Sequence, residues 1–123
     1  MFVLATKELF RCRLFEIDAR DLRGDQRAVA RLAGQLLLPS VTGGDISADG
    51  QFFVLATYGP GCLLDRGDDE SWRLAGGQPH TIELPLRQQG EAICFSEDGQ
   101  RLLLTSEGSP ARLYDMAVPN RQK

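Results

Sequence analysis

Short apolar runs alternate with polar turn residues along the whole chain, which is the pattern of β-strands joined by tight turns. Glycine, proline and aspartate residues separate the runs and mark the reversals of the chain. The sequence therefore predicts an all-β protein. The strongest predicted strands are Phe52 to Thr57, Cys62 to Asp65, Thr81 to Leu84, Ala92 to Ser96, Arg101 to Ser106 and Ala111 to Met116.

Two segments of the chain repeat each other at an offset of 49 residues. Ile46-Ser47-Ala48-Asp49-Gly50-Gln51 precedes Phe53-Val54-Leu55, and Phe95-Ser96-Glu97-Asp98-Gly99-Gln100 precedes Leu102-Leu103-Leu104. Asp-Gly pairs tolerate the positive φ angles of hairpin turns, so each copy is predicted to be an antiparallel hairpin with its serine capping the turn. The start, Phe2-Val3-Leu4-Ala5-Thr6, echoes the second half of the unit.

Each hairpin is followed by signals for two further strands. Tyr58-Gly59-Pro60-Gly61 and Glu107-Gly108-Ser109-Pro110 turn the chain into a third strand, and one extra residue in the second loop is expected to shift the offset to 50. Two further echoes mark the fourth strand. They pair Ala30-Arg31-Leu32-Ala33-Gly34 with Trp72-Arg73-Leu74-Ala75-Gly76, and Leu36-Leu37-Leu38-Pro39 with Ile82-Glu83-Leu84-Pro85.

Four antiparallel strands in a repeat of nearly fifty residues are typical of a β-propeller blade. We interpret the chain as one propeller-like domain or fragment of about two and a half blades: a partial blade at 1–39, a full blade at 41–85 and a partial blade at 90–116. The first unit starts at its second strand and the last stops after its third. The chain is then part of a longer ring, one of several assembling copies, or an open stack of sheets. Asp25 could instead cap a short helix reaching Arg31.

Composition narrows the classes of partner. A net charge of −3 and a pI near 5.1 argue against a nucleic-acid or anionic-membrane surface. We expect a soluble protein, cytoplasmic by default, because the sequence shows neither a membrane-spanning run nor a signal peptide. Three widely spaced cysteines indicate neither a disulfide framework nor a zinc site.

Blade geometry predicts where a binding site lies. The start of the first strand and the end of the second share one end of the hairpin, and the first strand lines the central channel of a propeller. Here the copies differ, as expected where a scaffold carries a site on its loops. The residues predicted to gather at this channel-mouth face are Lys7, Thr42, Tyr58, Glu91 and Glu107. Glu91 and Glu107 could hold a hard cation through oxygen ligands, or be two solvated glutamates.

Two other polar features are weaker candidates. His80, the single histidine, is expected at the surface, and the acidic stretch from Asp65 to Glu70 is expected to be a solvated hairpin tip rather than a calcium loop.

The Ser-x-Asp-Gly hairpins resemble the bacterial propellers that include WD-repeat-like and TolB-type blades. The stretches Gly90-Glu91-Ala92-Ile93 and Ser106-Glu107-Gly108 resemble phytase-like and SdiA-regulated propellers, with Ala92 where that group has glycine. The resemblance implies a propeller, in some relatives one that binds calcium at the channel mouth and hydrolyses phosphate esters. The acidic ligand set of calcium-dependent phytases cannot be placed on this sequence.

The leading functional hypothesis is a noncatalytic binding or scaffold module without a cofactor. Its partner would be another copy of the chain, or another protein, recruited through open strand edges. Assembly is expected to cover the apolar faces of Val54, Leu64, Ile93, Leu103 and Leu113. The alternative is a calcium-dependent phosphoric-ester hydrolase with Glu91 and Glu107 at the metal.

Overall fold

A computed structural model describes residues 1–25, 27–66, 72–73 and 80–119, with only the backbone described for 72 and 73. The chain divides into two compact units, Met1–Ser40 and Val41–Lys123. Within the described residues the strands are β1 Phe2–Ala5, β2 Cys12–Ile17, β3 Arg31–Leu36, β4 Val41–Ile46, β5 Phe52–Thr57, β6 Gly61–Arg66, β7 Trp72–Arg73, β8 His80–Ile82, β9 Gly90–Phe95, β10 Arg101–Ser106 and β11 Leu113–Ala117. They pair antiparallel throughout, so the all-β prediction is confirmed.

The first unit is built on the sheet β1-β2-β3. One face of this sheet is buried and carries Cys12, Leu14 and Leu36. Ala33 stands unpaired in a bulge where Leu14 faces Gly34 and Phe15 faces Leu32. The order matches the second, third and fourth strands of the predicted repeat.

The second unit contains a complete repeat and a three-stranded one. β4, β5 and β6 form a meander, and both β7 and β8 pair with β6. β7 pairs with Asp65 and Arg66, whereas β8 pairs with the segment from Gly61 to Leu63. The predicted fourth strand is therefore formed in two pieces. Residues 74–76 of its first echo lie outside the described residues.

The third sheet has the order β11-β10-β9 and packs against the second through one apolar cluster. Alternate residues point to the same side of a strand, so Leu102 and Leu104 of β10 face the cluster together. The buried members are Val54, Ala56, Leu63, Ile82, Ile93, Phe95, Leu102 and Leu104. Burial of these side chains is the main source of stability for the unit.

The two Asp-Gly hairpins have the same hydrogen bonds, which confirms their predicted turns. Ser47 Oγ donates to Asp49 Oδ1 at 2.5 Å, and Ser96 Oγ donates to Asp98 Oδ1 at 2.6 Å. Each serine hydroxyl also accepts from the first amide of the next strand, at 3.0 Å in both copies. Gly50 and Gly99 follow with φ of 71° and 69°, which glycine adopts without strain. The bond from Ser96 lowers the pKa of the Asp98 carboxyl.

The predicted offset beyond the second loop is wrong. Leu55 faces Cys62 in the second sheet, and its equivalent Leu104 faces Tyr114 in the third. Cys62 and Tyr114 are 52 residues apart rather than 50. The loop after β10 therefore holds three extra residues, not one, because the 49-residue offset holds up to that strand.

The helix considered between Asp25 and Arg31 is also wrong. Residues 27–30 are irregular, Arg31 begins β3, and Gln26 lies outside the described residues. A short 3₁₀ helix occurs earlier, at Ala19–Leu22, where the Asp18 carboxylate accepts from the Arg20 amide at 2.9 Å. Among the helical residues that the structure describes, no helix is long and apolar enough to cross a membrane.

Candidate functional site

Thr42 and Glu91 occupy the same backbone position in two copies of the repeat. β4 faces β5 through Val41 and Gly43 and leaves Thr42 unpaired, while β9 faces β10 through Gly90 and Ala92 and leaves Glu91 unpaired. A positive φ precedes each strand, at 54° in Ser40 and 43° in Gln89. Bulges re-aim the side chain of the extra residue. Thr42 and Glu91, which are equivalent in the sequence repeat, therefore also occupy equivalent bulge positions in the backbone.

β4 and β9 run close together, which brings these two positions onto neighbouring strands. A Cβ atom placed on Gly43 would lie 3.0 Å from the carbonyl oxygen of Glu91, so only glycine allows this approach. Asp45 Oδ2 accepts the amide of Phe95 at 2.8 Å. Asp45 is absent from the predicted site residues, although a carboxylate stands there where the next copy has Cys94. Strand β9 is thus bonded to β4 through a side chain.

Tyr58 and Glu107 line two adjoining clefts in the second unit. The first cleft has a volume of about 510 Å³ and is mostly polar, with Glu107 at its wall. The second, of about 320 Å³, is lined by Tyr58, Pro60 and Leu84. Both share Leu86 and Arg87, so Arg87 lies between them.

Arg87 is a second polar side chain that is absent from the predicted site residues. Its guanidinium donates to the Thr57 carbonyl at 2.7 Å and to the Pro85 carbonyl at 3.0 Å. Its Nε is buried and has no hydrogen-bond partner. A Cβ on Gly90 would overlap this Nε, so the guanidinium packs directly on the glycine. The two carbonyls and Gly90 hold Arg87 in one position.

The charge of Arg87 is partly desolvated, and no described residue serves as its counter-ion. Burial lowers the pKa of its guanidinium, with a smaller opposite effect from Tyr114. In the described part of the chain, no carboxylate forms an ion pair with it. The fourth-strand echo pairs Leu38 with Leu84, but the 49-residue offset that matches Ser40 to Gln89 places Leu38 opposite Arg87. The change from leucine to arginine in that second alignment is the one sequence signal for this residue.

Lys7 lies in the first unit, exposed in the connection from β1 to β2. Beside it, Glu8 accepts from the Thr6 hydroxyl at 2.6 Å and from Arg13 at 3.1 Å. These bonds, led by that from Thr6, lower the pKa of Glu8 to about 2. That Lys7 joins the other four residues in one channel-mouth site stays a prediction.

The metal hypothesis also stays a prediction. Over the described ranges, no three side chains of histidine, cysteine, aspartate or glutamate are grouped to hold a metal ion. Calcium at Glu91 and Glu107 would therefore depend on backbone and water oxygens. His80 is exposed in β8, and residues 67–70 of the acidic stretch lie outside the described residues.

No protein-family model matches the chain, and no curated protein sequence matches it significantly. Among solved structures it is similar to the Cps50 (Swd1) β-propeller domain of Myceliophteria thermophila, with a TM-score of 0.58 and 14% identity, covering 94% of this chain and 36% of that one. A functionally unknown protein from Desulfotomaculum acetoxidans DSM 771 gives a TM-score of 0.43 and 15% identity, over 92% of this chain and 35% of that one. The chain thus spans about a third of each of these structures. The likeness to the Swd1 domain, together with the repeated antiparallel sheets, shows that the fold is that of β-propeller blades.

Proposed function

We propose that the chain is a noncatalytic binding module whose blades pack onto blades from further copies of the same chain. The observation that carries this proposal is an uncovered face with exposed or half-buried apolar side chains on each of the two three-stranded sheets. In a closed propeller every blade is covered by its neighbours, and no long edge remains open. Faces and edges left uncovered are sites where another chain adds.

The third sheet turns to solvent a face that combines apolar side chains with one ion pair. Leu103 in the middle of β10 faces Cys94 on β9 and Asp115 on β11, Thr105 faces Leu113, and Arg101 pairs with Asp115. Leu113 is 68% exposed. This face is opposite the one that packs on the second sheet, because Leu102 and Leu104 point the other way. Among the described strands, the outer edge of β11 pairs with none.

The faces expected for assembly need one correction. Val54, Leu64 and Ile93 are already buried within the chain and so are not free to contact a partner. The expectation was wrong because Val54 and Ile93 lie in the cluster between the second and third sheets, and Leu64 is buried in the second sheet. Leu103 and Leu113 remain available, and the first sheet supplies the other half of the contact.

The first sheet exposes a more aromatic face. Leu4 faces Phe15, and Phe15 faces Leu32 across the next pair of strands. Phe2 and Leu32 are 53% and 62% exposed, and the Arg13 guanidinium stacks on the Phe15 ring at 5.8 Å from its centroid. The outer edge of β1 pairs with no other strand of the described chain.

A second copy is the occupant that these features favour. The contact between the second and third sheets is already a face-to-face packing of two blades of this chain, built from valine, leucine, isoleucine and phenylalanine side chains. The open face of the first sheet carries phenylalanine and leucine side chains, and that of the third carries Leu103 and Leu113 beside the ion pair between Arg101 and Asp115. Repeating the contact between copies buries both faces and gives a head-to-tail arrangement that can close into a ring.

Assembly predicts a concentration-dependent mass. Light scattering should give the 13.6 kDa monomer only in dilute solution and multiples of it as concentration rises. Leu113→Lys and Leu32→Lys, each placing a charge on one open face, should both shift the protein toward the monomer. Val29→Lys is the matched control, because Val29 is exposed in a connection outside the strands.

The proposal fails if the wild-type mass stays at 13.6 kDa over the whole concentration range. It fails as well if Val29→Lys dissociates the protein as fully as the two face variants do.

A further inference from the structure

We infer that the two clefts around Arg87 bind an acidic peptide segment. One carboxylate of the peptide would lie against Arg87 in the polar cleft, and a neighbouring apolar side chain would lie in the cleft lined by Tyr58 and Leu84. All the residues involved belong to the second unit, and the inference does not rest on self-assembly.

Arg87 carries a charge that no described carboxylate compensates. Its guanidinium is fixed by the carbonyls of Thr57 and Pro85, yet no carboxylate of the described residues neutralises it. A half-buried cation without a partner loses hydration and gains no ion pair. A carboxylate in the cleft would supply the missing charge and form charge-assisted hydrogen bonds with the remaining guanidinium protons.

The rest of the polar cleft selects among anions. Arg112 adds a second positive charge, and Ser106, Ser109 and Tyr114 line the same cleft. The Glu107 carboxylate is also at its wall and disfavours a compact dianion such as phosphate. An acidic peptide suits both the arginines and Glu107. Its carboxylate can pair with the arginines, and its backbone N–H groups can donate hydrogen bonds to the Glu107 carboxylate.

The adjoining cleft gives the apolar half of the recognition. Tyr58, Pro60, Leu84 and Pro85 line it, and Leu86 stands between the clefts with 99% of its surface exposed. A fully exposed leucine beside an aromatic ring and two prolines is a surface that an aliphatic side chain can cover. An acidic residue next to an aliphatic one therefore matches the two clefts together.

A titration of the full chain, labelled with ¹⁵N, tests the site. The probe is the synthetic peptide acetyl-Gly-Ser-Glu-Leu-Gly-Ser-amide, whose glutamate is its only charge. We expect the amide signals of Gly59, Gln88, Glu107 and Arg112 to shift together. The matched peptide with glutamine in place of glutamate should bind at least about tenfold more weakly, since it cannot form the ion pair.

Three variants assign the binding to the guanidinium. Arg87→Met should reduce affinity by about tenfold or more. Gly90→Ala should weaken binding too, because the added methyl group occupies the position of Nε and displaces the side chain. Arg112→Met changes an exposed residue and should reduce affinity several-fold without affecting folding. Arg31→Met, an exposed arginine of β3, is the control and should bind like the wild type.

The inference is overturned if both peptides bind equally, if neither shifts these signals at millimolar concentration, or if Arg31→Met weakens binding as much as Arg112→Met. If inorganic phosphate displaces the peptide at equal concentration, the clefts form a simple anion pocket and the inference of a peptide site is overturned. If Arg87→Met does not fold, the peptide affinities of Gly90→Ala and Arg112→Met test the inference instead. Wild-type affinity in both variants contradicts it. Loss of self-association leaves the peptide result unchanged, so the two proposals fail separately.

Discussion

Truncating Leu102 to alanine should lower the free energy of unfolding by about 2–5 kcal/mol. Leu102 has 0% of its surface exposed and lies in the apolar cluster between the second and third sheets. Removing its isobutyl group loses buried apolar area and leaves a cavity that the neighbouring strands cannot close completely. Urea denaturation followed by tryptophan fluorescence or circular dichroism measures the change.

The adjacent residue is the matched control. Leu103 has the same side chain on the same strand but points to the open face of the third sheet and is only half-buried. Leu103→Ala should cost about 1 kcal/mol or less when measured in dilute solution, where the open face is free. Equal losses at the two positions would show that the assignment of faces in the third sheet is wrong.

Replacing Gly43 with alanine should destabilise the chain by about 1–3 kcal/mol. The new methyl group would lie 3.0 Å from the carbonyl oxygen of Glu91 and 3.3 Å from Cα of Ala92, so β4 and β9 must separate. Both obstructing atoms belong to the backbone, which cannot move aside as a side-chain end can. The separation should also lengthen the bond from the Phe95 amide to Asp45, and that amide should exchange with solvent faster.

Gly59→Ala is the control for the glycine itself. A Cβ there would meet only the Thr57 hydroxyl, at 3.9 Å, which is an ordinary contact. Both variants change the unfolded chain alike, so their difference isolates the contact between β4 and β9. A stability loss in Gly59→Ala equal to that in Gly43→Ala, or unchanged exchange at Phe95, would contradict the close approach of the two strands.

The repeat made most of the fold predictable. The predicted strands Phe52 to Thr57 and Arg101 to Ser106 match β5 and β10 residue for residue, because an Asp-Gly turn sets the start of each. The offset beyond the second loop was not predictable in the same way. Loop residues carry no alternating pattern, so the sequence of the loop does not determine the register of β11, in which Leu104 faces Tyr114.

The site was harder to predict because its main features are tertiary. The bulges at Thr42 and Glu91 repeat in sequence, and comparison of the copies identified them as equivalent. Arg87 precedes β9 in a connection that lacks strand periodicity, and its partners Thr57 and Gly90 are contacts of the folded chain. Its one sequence signal was the replacement of the leucine found 49 residues earlier.

The central claim is that further copies cover the open face of the third sheet, and the reactivity of Cys94 tests it most directly. This thiol is exposed beside Leu103 on that face, whereas Cys12 and Cys62 are buried. Alkylation of Cys94 should be rapid in dilute protein and several-fold slower at concentrations where the mass has increased. In the Leu113→Lys variant, Cys94 should be alkylated rapidly at both concentrations. A Cys94 rate that does not change with concentration, measured where the protein is assembled, would contradict the account.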